Sequence, residues 1–159
     1  MRRTVRASGQ AVGRRVAVIS DTYLTVEARA RVEIDRQLQA AGWDAQDFKA
    51  VNLAASQGVA VREFALKPPH GRADYLLFVD RQAVGSIEAK PAGTTLTGVE
   101  IQSAKYRDGL PDLDVSIRPL PFAYESTGVE TRFTNRADPR PAKPSSILLP
   151  PARHARRVA

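Results

Sequence analysis

The sequence predicts an α/β domain in which helices flank a mixed sheet of four to five strands. The chain has 159 residues, 43% of them hydrophobic, which is enough for one domain with a core and too short for two ordinary domains. Apolar residues follow a helical period in one early stretch and form short strand-like runs after it. The predicted order is a helix, three strands, a helix and a short strand pair (αβββαβ). A sheet between helical layers is the simplest way to bury that order.

The first helix is predicted in the stretch TVEARARVEIDRQLQAAGW. Thr25 suits the N-cap, and Gly42 suits the left-handed residue that ends a helix, with Trp43 packing behind it. Glu27 lies seven residues before Ile34 and therefore along the apolar face. It is either a partly buried acid that needs a partner or a first-turn acid that leans to solvent. The apolar stripe at 3.6-residue spacing consists of Ala30, Ile34, Leu38 and Ala41.

The elements after this helix are predicted from short apolar runs separated by turn residues. Two of the strands form a hairpin that turns at Asp80-Arg81-Gln82. Both hairpin strands are mostly apolar, which indicates a sheet covered on both faces. The predicted elements are strands over 58–66, 73–80 and 83–90, a helix over about 98–109, and strands over 121–126 and 129–134.

The regions outside the predicted domain are basic or rich in proline. Residues 1–24 are interpreted as a basic N-terminal tail, and residues 135–159 as a Pro/Arg-rich linker or disordered tail. The net charge is +7, and 19 of the 24 basic residues are arginine. This charge favours polyanionic partners, although solvated surface charge is an equally good explanation of composition alone.

Two classes of protein are excluded or disfavoured by composition. The chain has no cysteine, so neither a disulfide framework nor a thiolate metal site is possible. No apolar run approaches the roughly 18 residues of a membrane span. We therefore expect a cytoplasmic protein with no membrane partner.

Three charged residues interrupt the apolar hairpin. If the hairpin is centred on Arg81, Asp74 and Glu88 lie opposite each other on neighbouring strands, with Cβ atoms about 4.5–5.5 Å apart. Lys90 follows Glu88 by two residues and shares its face. Two facing carboxylates need positive charge between them, which Mg²⁺ can supply. Spacing alone is weak evidence, because an acid followed by Glu-x-Lys is usually part of surface salt bridges.

Two further expectations follow from this arrangement. Asp74→Asn is expected to raise the melting temperature of the metal-free protein, because it removes repulsion between two carboxylates. Gln102 and Tyr106 are four residues apart on the second predicted helix and share a face, where they could contact substrate or orient a ligand. The ordinary alternative is that Tyr106 is a core residue and Gln102 a surface residue.

Four stretches in series resemble the PD-(D/E)xK nuclease superfamily. They are EARARVEIDRQLQAAGW, GRADYLLFVD, AVGSIEAK with a Thr/Gly loop after it, and VEIQSAKYRDGL. The most similar family is the N-terminal nuclease domain of the restriction (R) subunit of type I restriction enzymes, and the resemblance covers about residues 25–134. Ala73 stands where the superfamily name has proline.

The resemblance implies a restriction-endonuclease-like core and Mg²⁺-dependent cleavage of double-stranded DNA, with Mn²⁺ as a substitute metal. The implied partners are DNA and the modification and specificity subunits of a type I complex. The implied catalytic residues are Asp74, Glu88 and Lys90. The implied metal ligands are Asp74, Glu88, the backbone carbonyl of Ala89 and, as an accessory, Glu27; the implied substrate-binding residues are Gln102 and Tyr106.

The family pattern also includes a motor that this sequence lacks. The R subunit continues into an ATP-driven translocase with a P-loop, and no GxxxxGK[ST] motif occurs here. ATP would act only through that absent motor. The leading hypothesis is therefore a type I restriction endonuclease domain without its translocase. The alternatives are a catalytically silent remnant that binds DNA or subunits, and an unrelated small basic binding protein.

Overall fold

The computed structural model describes residues 26–96, 105, 106, 108–112 and 120–135. Within this part of the chain, one helix packs against a six-stranded mixed sheet, which confirms the α/β class and adds a strand to the predicted number. A second helical stretch is described at residues 105, 106, 108 and 109. The elements are α1 (residues 26–40), β1 (Asp44–Asp47), a 3₁₀ turn (Phe48–Ala50), β2 (Gly58–Ala65), β3 (Arg72–Val79), β4 (Gln82–Ala89), β5 (Phe122–Ser126) and β6 (Thr131–Asn135).

The strands follow one another across the sheet in chain order. β1 pairs with β2 and β4 pairs with β5 in parallel, and the other three pairings are antiparallel. Parallel neighbours need a connection that crosses the sheet. The connection from β4 to β5 contains the second helical stretch. The sheet therefore brings the end of the hairpin beside this crossover.

The additional strand is β1, which the sequence analysis did not predict. Its four residues, DAQD, include no large apolar side chain, and they are half-buried or exposed. β1 lies at the edge of the sheet and pairs only with β2. Because an edge strand is held mainly by its ladder hydrogen bonds, it does not need the apolar pattern from which strands are predicted.

The hairpin has the predicted register away from its turn, although the turn itself differs from the prediction. Asp80 and Arg81 both have positive φ, 48° and 70°, so the turn has two central residues and is not centred on Arg81. A register shift between Leu77 and Phe78 then places an extra residue in β4. The two deviations cancel, and Tyr75 pairs with Ile87 as expected.

The end of α1 matches the prediction. Gly42 has a φ of 84°, and its N–H donates to the carbonyl of Gln39 at 3.0 Å. The N–H of Trp43 donates to the carbonyl of Leu38 at 2.9 Å, which completes a Schellman motif. Trp43 is buried behind the turn, and Ala30 and Ile34 are buried along the predicted stripe. These contacts fix the direction in which α1 crosses the sheet.

Both faces of the sheet are covered, as the apolar hairpin predicts. From Tyr75 to Val79, successive residues of β3 alternate between two apolar clusters. The first cluster packs against α1 and the second includes Tyr106 and Leu110 from the crossover. Gly85 lies where β4 and β5 approach closely, since a Cβ there would be 2.8 Å from the Phe122 Cβ. The first cluster contains Ile34, Leu38, Trp43, Tyr75, Leu77, Val79, Val84, Ile87, Phe122 and Tyr124.

Several predicted features lie outside the described residues. They are the proposed N-cap Thr25, the basic tail over 1–24, nearly all of the tail over 135–159, and the first part of the second predicted helix, with Gln102. Among the described residues, no helix has the length and apolar character that crossing a membrane requires.

Candidate active site

Asp74 lies where the β3–β4 ladder ends. The last backbone pair is Tyr75 with Ile87, and the next residues along the strands are Asp74 and Glu88. The Asp74 Oδ2 accepts a hydrogen bond from the Ala89 N–H at 3.0 Å. A side chain thus replaces the backbone partner at this end of the hairpin. The Asp74 side chain is 15% exposed.

Arg31 of α1 supplies the counter-charge for Asp74. Its Nη2 donates to the Asp74 Oδ1 at 2.5 Å, and its Nη1 lies 2.7 Å from the Glu63 Oε1. The Arg31 Nη2 is also 3.4 Å from the Glu27 Oε1 one helical turn earlier. Burial alone would lower the pKa of Arg31, but the three surrounding carboxylates raise it above its usual range. The guanidinium therefore stays charged and joins α1, β2 and β3.

Glu88 of β4 is held by the crossover. It is buried, and its Oε1 accepts hydrogen bonds from the Lys105 Nζ at 3.1 Å and from the Tyr106 hydroxyl. Burial raises the pKa of the Glu88 carboxyl, and the charge of Asp74 raises it further, while the bonds from Tyr106 and Lys105 oppose the rise. Glu88 is thus a buried carboxylate whose cationic partner, among the described residues, is Lys105.

Tyr106 is 1% exposed and belongs to the second apolar cluster. Burial, and then the charge of Glu88, raise the pKa of its hydroxyl far above the ordinary value, so the phenol stays protonated and donates. Tyr106 is therefore a core residue, as the ordinary alternative expects, and its hydroxyl contacts Glu88; its role in substrate binding stays a prediction.

Asp74 and Glu88 lie at the same end of the hairpin on adjacent strands, and the close approach of their side chains stays a prediction. They follow the paired residues Tyr75 and Ile87, and the charge of Asp74 raises the pKa of Glu88. Glu27, the predicted accessory acid, belongs to the same network through Arg31. The helix therefore contributes both an acid and a base to this end of the sheet.

The predicted lysine is not the one that contacts Glu88. Lys90 follows the last residue of β4, and its N–H donates to the Ser126 carbonyl at 2.8 Å. Among the described residues, Lys90 forms no ion pair, and Lys105 is the cation at Glu88. The catalytic role assigned to Lys90 stays a prediction, as does the metal contact of the Ala89 carbonyl.

Three residues of this site were missed by sequence reasoning. Arg31 could have been found, because it lies four residues after Glu27 and so shares its face. Lys105 could have been suspected from its place beside Tyr106. Glu125 is buried at 4% and is the register partner of Glu88 on β5. It gave no signal, since a lone acid in the run PFAYES has no informative spacing.

The donor chemistry at this site suits a hard divalent cation. Mg²⁺ in proteins commonly takes one or two carboxylates and fills its other positions with water and substrate phosphate. Asp74 and Glu88 provide two such carboxylates on neighbouring strands. The described residues contain no group of three His, Cys, Asp or Glu side chains that could hold a metal by themselves. The residues thus fit a cation that keeps most of its water, and not an all-protein cage.

No family model matches the chain. No curated protein and no solved structure matches it either. The similarity to the PD-(D/E)xK superfamily therefore stays an interpretation of the sequence, and the geometry of the site is described from this chain alone.

Proposed function

We propose that this chain is a Mg²⁺-dependent DNA endonuclease domain of the type I restriction class. The observation that carries the proposal is the position of Asp74 and Glu88 at the open end of the β3–β4 ladder, next to two cationic side chains. Such a site combines metal-ligating acids with positive charge that a phosphodiester would approach. The net charge of +7 agrees with a polyanionic substrate.

Each side chain of the proposed active site would have a distinct role. Asp74 and Glu88 would hold the metal, and Glu27 would contribute from α1. A bound Mg²⁺ would lower the pKa of a water and neutralise charge on the phosphate. Tyr106 and Lys105 hold Glu88 in place by bonding to its Oε1. The sequence resemblance implies that Lys90 would be the catalytic lysine and that Gln102 and Tyr106 would contact the substrate.

A second candidate is a catalytically silent module that binds DNA or a partner subunit. It is favoured by the ion pairs that already satisfy both acids, Arg31 with Asp74 and Lys105 with Glu88. Acids that are neutralised within the protein can serve stability alone. The two candidates share the fold and differ in whether the site binds metal and cleaves.

Plasmid nicking distinguishes these candidates. The protein would be incubated with supercoiled plasmid and Mg²⁺ or Mn²⁺, and the Asp74→Ala variant would be compared with Asp112→Ala. Asp112 is fully exposed and pairs only with Lys67 among the described residues, so its loss leaves the site intact. The endonuclease proposal expects metal-dependent nicking by the wild type and Asp112→Ala, and none by Asp74→Ala.

Two results would contradict the endonuclease. Absence of nicking by folded protein with either metal would favour the silent module. Equal nicking by Asp74→Ala and the wild type would indicate a contaminating nuclease or a different site. Circular dichroism of each variant would check that loss of activity is not loss of fold.

A further inference from the structure

Arg31 contacts the carboxylate of Asp74, which is a predicted metal ligand. Its guanidinium is 2.5 Å from the Asp74 Oδ1, and the other Asp74 oxygen is engaged by the Ala89 N–H. Both oxygens of the predicted metal ligand therefore have protein donors. A divalent cation that binds Asp74 would have to compete with Arg31 for the same carboxylate.

The charge around Arg31 is not balanced. Three acids from three elements surround one arginine: Glu27 from α1, Glu63 from β2 and Asp74 from β3. Within the described part of the chain, Arg31 is the only ion-pair partner of each of these acids. One positive charge against three negative charges leaves a local excess of two negative charges. Such an excess attracts a further cation.

The fit of Arg31 is also incomplete. Its Nε–H is buried and has no acceptor among the described residues. A buried donor without an acceptor is unfavourable, because it has lost water and gained no partner. The remaining bonds of Arg31 to Glu27 and Glu63 do not involve Asp74. The guanidinium could thus release Asp74 and keep two of its three acidic contacts.

We propose that Arg31 is a displaceable counter-ion, which neutralises Asp74 in the metal-free protein and releases it to a divalent cation. This inference rests on the proposed function, because it assumes that Asp74 binds metal. Arg31 is a positioning residue here, since it acts on the metal ligand and not on DNA. Its attachment to Glu27 and Glu63 keeps it beside the site after Asp74 is released.

Isothermal titration calorimetry of the full chain with Mg²⁺ or Mn²⁺, in the absence of DNA, tests the proposal. Arg31→Gln removes the competing charge and keeps a polar side chain. The affinity of this variant for the metal should increase about tenfold or more. Opposite charges a few ångströms apart at a half-buried site attract each other with more free energy than a tenfold change in affinity requires. Arg36→Gln is the matched control, since Arg36 is on the same helix and pairs with Glu33 on the surface. It should bind metal as the wild type does.

The outcomes separate this inference from the proposed function. If the wild type binds metal and Arg31→Gln binds equally well or more weakly, Arg31 does not compete and the inference is overturned, while the metal site stands. If no folded variant binds either metal, the inference and the proposed metal site fall together.

A measurement on the wild type covers the case in which Arg31→Gln does not fold. The arginine Nε–H resonances would be followed by ¹⁵N NMR during the same metal titration. The Arg31 signal should shift in step with metal binding, and the Arg36 signal should stay constant. An unchanged Arg31 signal at saturating metal would overturn the proposal.

Discussion

Asp74 and Glu88 are neighbours on one hairpin, yet they are held by different parts of the molecule. Asp74 is bound by Arg31 from α1, which also contacts two more acids, and the Asp74 side chain is 15% exposed. Glu88 is bound by Lys105 and Tyr106 from the crossover, and its side chain is 10% exposed. The two carboxylates are buried to a similar degree and differ in their partners: Asp74 shares one arginine with two other acids, and Glu88 has a lysine and a buried phenol.

This difference separates two ways of stabilising a carboxylate. On the Asp74 side the dominant effect is ion pairing, which water weakens. On the Glu88 side the dominant effect is burial, which disfavours the charged form and leaves its hydrogen bonds to offset the loss of hydration. Substitutions on the Glu88 side should therefore act through packing and protonation, and those on the Asp74 side through charge.

The largest effect is expected for Tyr106→Ala, which should lower the free energy of unfolding by about 3 kcal/mol, because it removes a large side chain from the second apolar cluster. Tyr106→Phe keeps the ring and loses only the hydroxyl bonded to Glu88, so its loss should be about 1 kcal/mol. Urea denaturation followed by circular dichroism measures both. Equal losses for the two variants would show that the hydroxyl, and not packing, dominates this side.

A smaller effect is expected for Asp74→Asn. Its direction is opposite to the rise in melting temperature that was expected from the sequence. The substitution removes the negative charge that Arg31 neutralises, while the new amide oxygen can still accept from the Ala89 N–H. We expect the melting temperature of the metal-free protein to fall, with a loss of about 1 kcal/mol, because the pair is partly exposed.

Asp112→Asn is the control for this comparison. It breaks an exposed pair with Lys67 and should leave the melting temperature unchanged. A higher melting temperature for Asp74→Asn would mean that repulsion from Glu88 outweighs the attraction of Arg31. Differential scanning fluorimetry in the presence of a chelator measures both variants.

The sequence allowed the fold to be predicted where side-chain pattern and backbone agree. The apolar stripe of α1, its end at Gly42 and the hairpin all have clear local signals, and all are confirmed. β1 could not be predicted, because its sequence DAQD is polar and its pairing with β2 depends on the rest of the sheet. Local pattern does not specify an edge strand that is held by hydrogen bonds to a distant segment.

The site was predictable in its acids and not in its cations. The placement of Asp74 and Glu88 at one end of adjacent strands follows from the pairing within one hairpin, which is local information. The partners Arg31 and Lys105 are 43 and 17 residues away from the acids that they contact. Only tertiary packing determines which of the many basic residues reaches each acid. The two expectations for the melting temperature of Asp74→Asn differ in sign for the same reason. The expectation from sequence included the repulsion between two acids and not the attraction of Arg31.

The smallest effect is a change in how the melting temperature depends on pH, and it tests how burial acts on Glu88. The pKa of Glu88 is raised by burial, so the folded protein holds this proton more tightly than the unfolded chain does. That contribution to stability is complete below the ordinary value of 4.5 and is lost as pH rises through the raised pKa. Glu88→Gln lacks this loss, so its melting temperature relative to the wild type should increase as pH rises above 4.5.

Glu33→Gln is the matched control on the surface of α1. Its melting temperature relative to the wild type should change with pH in the opposite direction. Hydrogen bonds from Arg36 and Gln37 lower the pKa of Glu33 to about 2. Its stabilising contribution is therefore present above 4.5 and is lost as pH falls toward 2. The melting temperature of each metal-free variant would be measured from pH 2 to 8. Glu33→Gln should weaken the dependence of the melting temperature on pH at the acid end, and Glu88→Gln should weaken it above pH 4.5. A Glu88→Gln curve parallel to the wild type above pH 4.5 would mean that Lys105 and Tyr106 fully offset burial, and the two sides of the site would then be alike.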